Sequence, residues 1–107
     1  MFNKSSKDGY FTPLDGIQRK TLVHGENTLM TEFKLREGSV IPLHSHPEEQ
    51  IGYLISGQIK FLVGTDKIMC NSGDSWCFAG DEEHGAEILQ DSVIVEVFSP
   101  VREDYLR

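Results

Sequence analysis

Apolar and polar residues alternate along most of the chain in short runs. In Gln58–Val63, Ile59, Phe61 and Val63 fall on one face by the period of two that marks a half-buried strand. In Gln50–Ser56, Ile51, Tyr53 and Ile55 oppose Gln50, Gly52, Leu54 and Ser56. The two sets must face different surroundings, and the apolar one needs either a second sheet or a dimer partner to cover it. Near the C-terminus, Ile94, Glu96 and Phe98 alternate with Val93, Val95 and Val97. No helical stretch stands out. The pattern predicts strands near 16–24, 28–36, 40–45, 50–56, 58–63, 66–70, 75–79, 84–89 and 92–99. Turn signals separate them, among them Glu37-Gly38, Ser56-Gly57, Gly64-Thr65-Asp66, Asn71-Ser72-Gly73-Asp74 and Gln90-Asp91. A strand plus a turn takes about ten residues, the spacing of an all-β sandwich or barrel, and a jelly roll is the expected form.

Length and charge narrow this picture. The 107 residues are expected to form a single domain, 1–107, large enough for one core. A net charge of −7 argues against nucleic acid or an anionic membrane surface as partner. It leaves room for a small anionic substrate, because a bound cation dominates the field of its own pocket. Cys70 and Cys77 read as two free thiols, and the N-terminus MFNKSSKDGY has no apolar signal core. A cytoplasmic protein is expected. The tail after Pro100 is charged but carries Tyr105 and Leu106, so it is expected to dock as an edge or a short helical turn.

Candidate chemistry begins with the histidines. Of four in the chain, His44 and His46 share one side of an extended segment. Such a pair can be a divalent-metal half-site, though most such pairs on a β protein are surface or loop histidines. His84 follows a second glycine-punctuated segment, NSGDSWCFAGDEEHG, and stands at the start of another strand. Three histidines then lie at strand lips, where the loops of a barrel converge. His24 has no partner nearby and reads as structural or surface.

The stretch GSVIPLHSHPEEQIGYLISG resembles the first cupin motif, with Gly38, His44, His46, Gln50 and Gly57 at its fixed positions. GDSWCFAGDEEH is similar to the second, opened by Gly73 and closed by His84. Ala79, Asp81 and Ile88 stand where the family more often has proline, glycine and asparagine. The resemblance implies a double-stranded β-helix, the cupin jelly-roll barrel. It also implies one divalent transition metal (Zn, Ni, Fe or Mn) held by His44, His46, Gln50 and His84. Glu49 is the alternative fourth ligand if the loop after Pro47 is shifted by one. A glutamine ligand leaves the first shell neutral, which favours an anionic ligand in the open positions and strengthens the ion as a Lewis acid.

Glu96 interrupts an apolar alternation. Either its face is solvent-exposed or the carboxylate points into the barrel, where burial would make it a candidate acid or base. Arg102 suits a bidentate grip on a carboxylate at a pocket mouth, or a solvated pairing with Glu103 or Asp104. HSHPEEQIGYLISG together with VFSPVREDYL resembles the pectin-degradation, KdgF-like cupins. That resemblance implies conversion of 4,5-unsaturated monouronates from pectin or alginate into linear keto acids. It implies catalytic roles for Glu96 and Arg102, and substrate binding by Phe98 and Arg102. Glu96 replaces the more usual aspartate, and Glu48 a frequent histidine. The expected protein is a metal-dependent isomerase of a small sugar acid, working as a homodimer. The other readings are a metal-dependent dioxygenase and a non-catalytic sugar-acid-binding cupin.

Overall fold

The computed structural model describes residues 1–106. Eight strands follow in chain order: β1 (Phe11–Leu14), β2 (Ile17–His24), β3 (Leu29–Leu35), β4 (Val40–His44), β5 (Glu49–Val63), β6 (Asp66–Asn71), β7 (Ser75–Phe78) and β8 (His84–Ser99). A 3-10 turn, Glu103–Leu106, closes the described chain. All strand pairings are antiparallel. The fold is the all-β jelly roll expected from the alternation. Among the described residues, no helix is long and apolar enough to cross a membrane.

Two expected turns are bends inside long strands. The segments expected at 50–56 and 58–63 form the continuous β5, and those at 84–89 and 92–99 form β8. The two strands pair with each other from Glu49↔Ser99 to Val63↔His84, and their register shifts around Ser56 to Ile59. Gly57 makes the bend possible. Its φ is 106°, and a Cβ there would fall 2.1 Å from Ser92 Oγ. Glycine is the residue that takes this conformation and this approach without strain. Ser92 Oγ accepts a bond from the Gln58 N–H at 3.2 Å and donates to Gln90 O at 2.7 Å, so the polar groups freed by the bend stay paired. β1 was not foreseen, because Pro13 interrupts its alternation; it lies at the sheet edge, where a missing N–H is tolerated.

The bend folds the one eight-stranded sheet into two layers that share β5 and β8. The C-terminal half of β8 lies between β3 and the first half of β5, which also pairs β7. The N-terminal half of β8 pairs β4 and the second half of β5, which also pairs β6. Leu29, Leu54, Ile59, Ile88, Ile94 and Phe98 fill the space between, each at most 2% exposed. The inward sets are those read from the alternation: Ile59 with Phe61, and Ile94 with Phe98. Ile51, Tyr53 and Ile55 point outward, 47–51% exposed, so no second sheet of the same chain covers them.

Candidate metal centre and acid pocket

One end of the barrel gathers the polar residues of the interior. His44 ends β4 and His84 begins β8, and the two are register partners. His46 lies in the short connection between β4 and β5. The loop before β8 is tied down onto it, since Asp81 N donates to His46 O at 2.7 Å. Asp81 takes a φ of 65°, which aspartate tolerates better than most residues and which accounts for glycine as the commoner choice there. One nitrogen from each of His44, His46 and His84 lies within 4.8 Å of the others.

Each ring is oriented by its other nitrogen. His44 Nδ1 bonds Pro42 O at 2.8 Å, His46 Nδ1 bonds Glu48 O at 2.9 Å, and His84 Nδ1 bonds Glu82 O at 2.8 Å. A carbonyl only accepts, so each Nδ1 carries a proton, and a neutral ring then has its lone pair on Nε2. Burial pushes His84 down to about 4 and also lowers His46, with the Arg102 charge adding to the effect on His46. Both rings are therefore neutral at pH 7, the state a metal ligand requires. Phe78 stacks on His84 with ring centres 4.4 Å apart.

Gln50, the second residue of β5, lies beside the triad. Its Oε1 lies 2.6 Å from His46 Nε2, and its Nε2 donates to Glu96 Oε2. In the neutral ring, His46 Nε2 and Gln50 Oε1 are two lone-pair atoms facing each other, an arrangement that a cation between them would relieve. Gln50 beside the triad therefore fits a divalent ion. The same contacts give a reason for the amide. A glutamate at 50 would set a second carboxylate against Glu96, whereas the amide offers an acceptor to one side and a donor to the other. Glu49 lies on the outer face and is exposed. Glu48 does more than its sequence position suggested: its carbonyl orients His46, and its carboxylate lies 3.5 Å from the same ring nitrogen.

Of the two readings left open for Glu96, the inward one is found. Its side chain is 6% exposed and lines the cavity shared with His44, Gln50, His84, Phe98 and Arg102. Burial pushes its carboxyl up to about 7, against the bonds from Trp76 and Gln50 and the charge of Arg102. Arg102 lines the same cavity and also pairs with Asp104. Nε donates to Asp104 Oδ1 at 3.2 Å, and the guanidinium lies 4.1 Å from the Tyr105 ring centre and 5.2 Å from that of Phe98. Tyr105 is itself held from behind by the Arg19 guanidinium, 3.6 Å from its ring centre, and by Thr21, whose hydroxyl donates to the Tyr105 carbonyl. The tail is therefore a docked turn that aims Arg102 at the cavity. His24, exposed at the end of β2, takes no part.

Trp76 and Gly52 were not singled out from sequence. The available signals were a lone tryptophan and a glycine interrupting an apolar strand. Neither says which side chain the glycine admits.

The sequence profile described as the cupin domain matches residues 31–99.

The chain belongs to the cupin family.

Its matched span holds all four candidate ligands and both Glu96 and Phe98. This cupin is 30% identical over 94 residues to the pectin degradation protein KdgF of Dickeya dadantii, covering 86% of each chain. It superposes on KdgF from a Halomonas species with a TM-score of 0.90 at 29% identity, over 97% of this chain and 98% of that one. An RmlC-like cupin from Shewanella frigidimarina gives the same TM-score, 0.90, at 22% identity over 97% and 94%, a likeness of fold alone. The cupin is thus KdgF-like, and its histidine triad is positioned for metal binding.

Proposed function

We propose that this cupin opens and ketonises 4,5-unsaturated monouronates in pectin or alginate breakdown, using one divalent transition metal. The observation that carries the reading is Glu96, a buried carboxyl sharing one cavity with His44, His84 and Arg102. The likeness to a relative named for pectin degradation supports the substrate class.

His44, His46 and His84 through Nε2, and Gln50 through Oε1, would hold Zn, Ni, Fe or Mn, all of which accept imidazole and amide oxygen. Such an ion would supply an uncompensated positive charge for anionic oxygen, and Lewis acidity. Arg102, braced on two aromatic rings, grips the substrate carboxylate, and Phe98 packs against the sugar face. Glu96 takes the proton of the anomeric hydroxyl. The bond between that carbon and the ring oxygen breaks, leaving an aldehyde and an enolate. Glu96 then returns a proton to C4, and the enolate becomes a ketone. Atoms and electrons balance with no co-substrate.

The test is the loss of ultraviolet absorbance of the unsaturated uronate. Metal-loaded protein should speed it, and Glu96→Gln should not. Oxygen uptake by the iron-loaded protein, with no absorbance loss, would mark a dioxygenase instead. For assembly we infer a homodimer through the exposed row of Ile51, Tyr53 and Ile55, which the fold leaves uncovered. The free Cys70 and Cys77 fit a reducing, cytoplasmic setting.

A further inference from the structure

Three neighbouring strands place Trp76, Gly52 and Glu96 in one row. Gly52 is the register partner of Trp76 on β7 and of Glu96 on β8. A Cβ at position 52 would stand 2.2 Å from Trp76 Nε1. The indole therefore occupies the space that a side chain at 52 would fill, and reaches across β5 to the strand beyond. There Trp76 Nε1 donates to Glu96 Oε2 at 3.0 Å. Gln50 Nε2 donates to the same oxygen. On the opposite side, Thr31 is the register partner of Glu96, and its buried hydroxyl has no hydrogen-bond partner among the described residues. Oε2 thus takes two donors, while Oε1 takes none from the described residues.

We propose that Trp76 is a positioning residue for Glu96: with Gln50 it fixes Oε2, so that Oε1 is the oxygen turned to the substrate. This rests on the role given to Glu96 above. Two donors from different directions fix both the tilt and the rotation of a planar carboxylate. A proton carrier must be held so, because a misplacement of about 1 Å costs on the order of a hundredfold in rate. Gln50 alone would fix one direction and leave the group free to turn about that bond. Gly52 is then part of the device, since any larger residue would push the indole away. The competing account is that Trp76 only packs, for its ring also lies 4.6 Å from that of Phe61.

Trp76 is the sole tryptophan, so its indole N–H gives a single proton–nitrogen NMR signal. That signal should move upfield in Glu96→Ala and stay near its place in Glu96→Gln, whose amide oxygen still accepts. Trp76→Phe keeps the ring packing and removes the donor. Its kcat should fall about tenfold with KM within about twofold, the loss expected for one hydrogen bond to a charged group. An indole signal indifferent to Glu96→Ala overturns the proposal, as does Trp76→Phe with unchanged kcat. Wild-type protein inert on the uronate, with the indole signal moving as described, would sink the uronate reading and still support the Trp76–Glu96 link.

Discussion

The two faces of the β5–β8 pair have exchanged their usual polarity. Inward, Gln50 and Glu96 are 4% and 6% exposed, set among Leu54, Ile94 and Phe98. Outward, Ile51 and Tyr53 are each 51% exposed, and their cross-strand partners are Val97 and Val95. A sheet arranged for its own stability would carry these residues the other way round. Burying a carboxyl is costly unless it is bonded, and exposed apolar area forgoes about 25 cal/mol for each Å². The inner face makes sense as a reaction site. The outer face is the surface on which the proposed homodimer would close.

Substitutions on each face should separate these roles. The largest effect belongs to the inside. Glu96→Gln should cut turnover by about a hundredfold or more, as loss of a proton carrier does, while the melting temperature holds or rises. Burial disfavours the carboxylate, so the neutral amide removes a cost to folding. A fall in stability together with full activity would reverse the assignment of the inner face. Metal comes next. Stripping the ion with a chelator should lower the stability of the wild type by about 3 kcal/mol, the value for a ligand held at roughly a hundred times its Kd. In His84→Ala the chelator should leave the melting temperature unchanged. On the outer face, Tyr53→Glu should convert dimer to monomer in sedimentation, with activity per chain within about twofold, because rim and surface changes rarely reach a site behind them. The smallest effect is expected for Glu49→Gln. Its side chain lies outside the barrel, so metal affinity should change by less than about twofold, as measured by titration calorimetry.

Much of this was legible in the residues because the period of two fixes which neighbours share a face. The alternation around Glu96 put it with Ile94 and Phe98, and only the choice between inside and outside remained. The spacing of His44, His46 and Gln50 was legible because it lies within one short segment. The continuity of β5 and β8 was not, since Ser56-Gly57 and Gln90-Asp91 have the composition of turns. Their conformation is decided by a strand far along the chain: Ser92 satisfies the backbone that Gly57 exposes. Nor was the Trp76–Glu96 bond legible, for it depends on the register of three strands at once. The Nδ1 bonds that set the imidazoles use backbone carbonyls, which no side-chain pattern records.

The pairing of β5 with β8 also bears on how the chain reaches its fold. The turn from β5 to β6 closes over two residues, Gly64 and Thr65. By contrast, Glu49 meets Ser99 only when nearly half of the chain has been drawn together. Loop closure of that length precedes the contacts that reward it, and such topologies fold slowly. The full triad does not exist before His84 registers with His44, so an ion held by it would not template the early steps. A bound ion would act as a latch on the finished barrel. Added metal should therefore slow unfolding far more than it hastens folding.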